Sequence, residues 1–150
     1  MAQDNQISLK IPAEDKDAIK NAISVLTEKL LPHLKALSPE ERQALPKAGD
    51  KTVAFLDKTK EFFESNSDLV PAFIDKNEYI IDLNGMNELH EYHTPVNQLA
   101  SMLNDSMMLA GSEAYVTALA FYKSVKNAAK MNIPGAKEVN EELSRRFKGN

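Results

Sequence analysis

Between Val96 and Ala128 apolar residues return at spacings of three and four: Val96, Leu99, Leu103, Met107, Ala110, Ala114, Ala118, Phe121, Val125 and Ala128. This is one stripe along a single helix of about nine turns. The phase carries across Gly111, so the spacing predicts a helix over 96–130 that runs unbroken through that glycine, at a local cost of about 1 kcal/mol relative to alanine. A second apolar set, Met108, Leu109, Val116 and Leu119, lies on the opposite face. A helix that is apolar all round is either central in its own bundle or meets another molecule. These four residues are therefore the candidate interface.

The other segments keep the same period. Ile19, Ala22, Ile23, Leu26, Leu30, Leu34 and Leu37 form the stripe of a first helix that starts near Pro12, with Pro32 expected to kink or break it. Ser38-Pro39-Glu40-Glu41 has the form of a capping box opening a short helix. Asp50 is expected to cap a second long helix carrying Val53, Leu56 and Phe63 on one line. Ser65 to Asp68 should end it, with one apolar turn over 69–74. Asp75 is expected to cap a third helix over 76–93. A boundary follows at Thr94-Pro95, because a residue before proline avoids the helical region. Asn132-Ile133-Pro134-Gly135 should end the long fourth helix, and Val139, Leu143 and Phe147 mark a last short one.

The fold class this predicts is all-α, an antiparallel bundle of four main helices with short end-capping helices. The 150 residues suggest a single helical-bundle domain over 11–150 behind a flexible N-terminal tail, residues 1–10. Ile7, Leu9 and Ile11 alternate within and beside that tail, and could lie extended against the bundle.

Composition narrows the chemistry. There is no cysteine, which excludes disulfides, thiolate metal sites and a cysteine nucleophile. No signal peptide and no membrane span are expected from the polar start and the lack of a long apolar run, so the expected location is cytoplasmic. The net charge of −4 disfavours nucleic acid and anionic membranes as partners. Two local basic groups stand against it: Arg145, Arg146 and Lys148, and then Lys123, Lys126 and Lys130. Both read most simply as solvated helix faces.

His90 and His93 share a helix face, with Glu88 and Glu91 nearby. Two imidazoles are too few for a metal centre. The Glu-x-x-His pairs of di-iron bundles are absent, since Asn87 and His90 occupy the positions three before the two histidines. No metal and no cofactor are expected. Tyr122 and Lys126 repeat the Tyr-x-x-x-Lys spacing of short-chain dehydrogenases without the glycine-rich turn that binds their cofactor. The bland reading is a surface tyrosine whose ring covers a lysine stem. Glu113 flanks the stripe beside the small residues Ala110, Gly111, Ala114 and Ala118. It is the best single candidate for a ligand-contacting acid, against the alternative of a structural hydrogen bond to a neighbouring helix end or to a bundle tyrosine.

The run GSEAYVTALAFYKSVKNAAKMNIPG, residues 111–135, and the run LPKAGDKTVAFL, residues 45–56, resemble a family of small, uncharacterised bacterial all-helical proteins. That resemblance implies a compact all-α bacterial protein and no assigned activity. With no catalytic constellation, the chain reads as a non-enzymatic binding or assembly module, acting through a homodimer or another protein partner. The alternative is a bundle that binds a small molecule or metal through His90, His93 and Glu113.

Overall fold

The computed structural model describes residues 4–149. The regular elements are α1 (Ala13–Leu30), α2 (Pro39–Ala44), α3 (Asp50–Ser65), α4 (Lys76–Lys130) and α5 (Ala136–Lys148), with single 3-10 turns at Leu31–His33 and Ser67–Leu69. The protein is all-α, and no strand occurs among the described residues. No helix among them is long and apolar enough to cross a membrane.

Most helix ends follow from local chemistry. Ser38 Oγ accepts from the Glu41 N–H at 3.1 Å while Glu41 Oε2 accepts from the Ser38 N–H at 2.8 Å, the reciprocal pair of a capping box. Asp75 Oδ1 accepts from the Glu78 N–H at 3.0 Å and so caps α4. At the other end of α4, Asn132 adopts φ 57°. The Ile133 N–H then reaches the Ala128 carbonyl at 3.1 Å, and the Asn132 N–H reaches that of Ala129 at 3.2 Å. These two bonds make a Schellman closure, which satisfies carbonyls the helix end would leave open. Gly135, at φ 84°, then turns the chain into α5.

The break expected at Pro32 is present, and two other boundaries differ from expectation. The α1 stripe does not continue to Leu37. The helix stops at Leu30, Pro32 sits in the 3-10 turn, and Leu34 is extended. Proline lacks the donor the next helical turn would need. Asp50 is not the cap of α3. Gly49 holds that place, its carbonyl accepting from Thr52 and Val53, and Asp50 begins the helix, where its charge still suits the positive end. Most consequentially, there is no boundary at Thr94-Pro95. The expected third and fourth helices are one helix, α4, with Pro95 inside it. The restriction before proline is a preference, and the helical spacing continues across it here. Leu83, Met86, His90 and His93 lead to Val96 and Leu99 in unbroken steps of three and four.

Contacts divide the chain into two units, 11–97 and a second made of 4–10 with 98–149. In the first, Leu83 is buried, and Val53, Leu56 and Phe63 of α3 are half-buried on the line the sequence predicts. Tyr79 joins α4 to α3 twice. Its hydroxyl donates to the Leu56 carbonyl at 2.7 Å, and its ring meets Phe63 edge-on at 5.0 Å. In the second unit, Val125 and Ala136 are buried, and Tyr122 of α4 packs on Phe147 of α5 at 5.9 Å.

Candidate functional site

His90 and His93 belong to the first unit and both are exposed. They have different surroundings despite sharing α4. His90 lines a cleft of about 360 Å³ with Asp50, Val53 and Met86. His93 does not line it. Glu88 accepts from the Tyr92 hydroxyl at 2.8 Å. That bond, followed by the Glu88 charge, raises the Tyr92 phenol above its ordinary range. No group of three or more potential metal-ligating His, Cys, Asp or Glu side chains occurs among the described residues.

Glu113 belongs to the second unit and is half-buried. Its Oε1 accepts from the backbone N–H of Gln6 at 2.6 Å. With the Asn5 amide oriented so that its nitrogen faces the carboxylate, Asn5 Nδ2 donates to Oε2 at 2.9 Å, and Asn5 Oδ1 accepts from Ser8 at 2.9 Å. Both oxygens of Glu113 thus hold the N-terminal segment against α4. A carboxylate is suited to this because it only accepts, and the segment offers only donors there.

The candidate interface residues lie on the same stretch of α4. Met108 is 65% exposed, Val116 40% and Leu119 37%, while Leu109 is half-buried. The main stripe is open as well: Leu99, Leu103, Met107 and Phe121 are all more than half exposed. Only towards Val125, where α5 packs, does it close.

The second unit also holds a feature that sequence reasoning missed. The turn at 131–135 lays α5 beside the end of α4, and an open cleft of about 610 Å³ lies between them. Lys126 and Lys130 line it from α4, and Lys137 and Lys148 from α5. Tyr122 and Ser144 share the lining. The Ser144 hydroxyl, by hydrogen bonding, and then the charges of Lys126 and Lys148 draw the Tyr122 phenol below its ordinary range. Lys126 Nζ sits 4.1 Å from the centre of the Tyr122 ring, a cation–π contact that agrees with the bland reading of this pair. Asn140, also in the lining, has a buried Oδ1 with no hydrogen-bond partner among the described residues.

The two basic groups visible in the sequence are therefore re-sorted by the fold. Arg145 and Arg146 both pair with Glu142, while Lys148 joins Lys126 and Lys130. Lys137, which belongs to neither group, completes the set. Its only signal in the sequence is its place just after Gly135, where a cation opposes the positive end of the helix that follows. No protein-family model, no curated protein and no solved structure matches this chain.

Proposed function

We propose that the protein is a non-enzymatic assembly module, and that the 98–121 segment of α4 is where it associates, with a second copy of the same chain. The observation that carries this reading is the combination of exposure and charge depletion. These 24 residues include only two charged side chains, Asp105 and Glu113, and Glu113 is already engaged by the N-terminal segment. Large apolar residues stand open on both faces of the helix. Long helices draw most of their stability from packing of an apolar face, so such a segment is stable in water only when something covers it. Interface cores are poor in charge and rich in methionine and aromatic residues, which describes the run from Met102 to Phe121.

A second copy is the occupant this composition favours. The covering surface must itself be apolar and nearly uncharged, and the same segment supplies one. The small residues Ala110, Gly111, Ala114 and Ala118 permit close approach, and no Cβ added at Gly111 would meet an obstacle within 4 Å in one chain. Two such segments crossing antiparallel form a closed two-fold contact, the commonest symmetric assembly. An antiparallel helical bundle is then completed between chains.

Sedimentation at micromolar concentration tests the proposal, with Leu109→Glu and Leu119→Glu as probes. The wild type is expected to be a dimer, and each variant a folded monomer by circular dichroism. A wild-type monomer in which either glutamate unfolds the chain would show instead that this face is internal core.

A further inference from the structure

The geometry points to an anion site in the cleft between the end of α4 and α5, built to take a multivalent phosphate group through Lys126, Lys130, Lys137 and Lys148. This inference is independent of the self-association proposed above. Three observations carry it.

The first is uncompensated charge. Four ammonium groups line one cleft, while no carboxylate lines it among the described residues. None of the four lysines makes an ion pair among those residues, whereas the neighbouring Arg145 and Arg146 both pair with Glu142. A concave site lined by one sign of charge concentrates counter-ions even on a protein of opposite net charge.

The second is the position of Lys137. Lys126 and Lys130 fall in the last turns of α4, where cations suit the negative end of the helix, and this alone accounts for them. Lys137 falls in the first turn of α5, behind a Gly135 that offers no side-chain cap. A cation there works against the helix dipole. An anion in the cleft reverses that sign, because the lysine and the helix end then both face negative charge.

The third is the kind of donor. The charges are lysines, compact point charges on rotatable stems, which can gather around an anion from several sides without the fixed geometry of an arginine fork. Two hydroxyls, Tyr122 and Ser144, stand beside them. Several point charges with added hydroxyl donors suit a tetrahedral group with two or more negative charges and three accepting oxygens.

Tripolyphosphate is the probe, titrated into the full chain by calorimetry at fixed ionic strength, with sulfate as the comparison. Tripolyphosphate is expected to bind at one site per chain and more tightly than sulfate. The double variant Lys126→Gln, Lys137→Gln should weaken it by about tenfold or more, since deleting one charge-assisted hydrogen bond costs roughly that factor. Lys123→Gln, on α4 but outside the cleft, should leave it unchanged. At that fixed ionic strength, where the diffuse ion atmosphere is constant, the bound anion should also move the Tyr122 phenol back towards its ordinary range. Vesicles of phosphatidylcholine containing phosphatidic acid identify the source of the phosphate. Co-sedimentation that tripolyphosphate abolishes places it on a lipid headgroup, and tripolyphosphate binding without co-sedimentation places it on a soluble compound. Equal binding of sulfate and tripolyphosphate, or equal weakening in the Lys123 and Lys126/Lys137 variants, would overturn the site.

Discussion

The backbone N–H of Gln6 donates to Glu113 Oε1 at 2.6 Å, across 107 positions of sequence. A main-chain donor near the start of the protein is thereby held by a single carboxylate in the middle of its longest helix. The segment around Gln6 has no regular secondary structure, and this bond and its Asn5 companion tie it to α4.

Removing that carboxylate should release the segment without unfolding the helix. Glu113→Ala is expected to speed exchange of the Gln6 amide hydrogen about fivefold, equivalent to about 1 kcal/mol, less than is usual for a charged acceptor because Gln6 is exposed. Helicity by circular dichroism should not fall. Unchanged exchange at Gln6 would show that the carboxylate does not hold it.

The link between α3 and α4 rests on Tyr79, and its two contacts separate by mutation. Tyr79→Phe keeps the ring against Phe63 and loses only the bond to the Leu56 carbonyl, at an expected cost of about 1 kcal/mol. Phe63→Leu removes the edge contact and should cost roughly 0.5–1.5 kcal/mol beyond the change in buried area. Urea denaturation of the two single variants and the double variant measures the coupling. Simple additivity would mean that the two interactions act independently of each other.

Local signals are legible in the sequence and spatial ones are not. The capping box at Ser38, the Asp75 cap and the stop at Asn132–Gly135 each depend on residues within one turn, and the sequence displays them directly. Pro95 misleads because a local rule competes there with a period that continues in phase across it. The partner of Glu113 cannot be read at all, since it is a backbone donor and leaves no mark on side-chain pattern. The lysine cleft is half legible. Lys126 and Lys130 form a visible pair, but their meeting with Lys137 and Lys148 depends on how the turn at 131–135 reverses the chain.

Pro95 gives the helix a measurable weakness. As an interior proline it offers no N–H to the Glu91 carbonyl, while the neighbouring Thr94 Oγ1 donates to the His90 carbonyl at 3.0 Å. Pro95→Ala restores the missing donor and is expected to stabilise the helix by about 1–3 kcal/mol. The thermal midpoint followed by circular dichroism should rise. A fall in helicity would contradict a helix continuous through this position.

The tyrosines should titrate apart. Hydrogen bonding from Ser144, aided by Lys126 and Lys148, lowers the Tyr122 phenol, whereas the bond to Glu88 raises that of Tyr92. A lowered phenol favours the folded state only in its ionised form. Its contribution is therefore absent near neutrality, grows as pH rises through the folded value, and is complete above the unfolded value near 10. Tyr92 has the opposite sign: its contribution is present below that value and is lost as pH rises through its higher folded value. Ultraviolet titration of tyrosinate should thus lose its early part in Tyr122→Phe and its late part in Tyr92→Phe. Adding tripolyphosphate to the wild type should delay the early part alone, because anion in the cleft screens the lysines that stabilise the Tyr122 phenolate. A curve that shifts as a whole, or not at all, would separate Tyr122 from the lysine cleft.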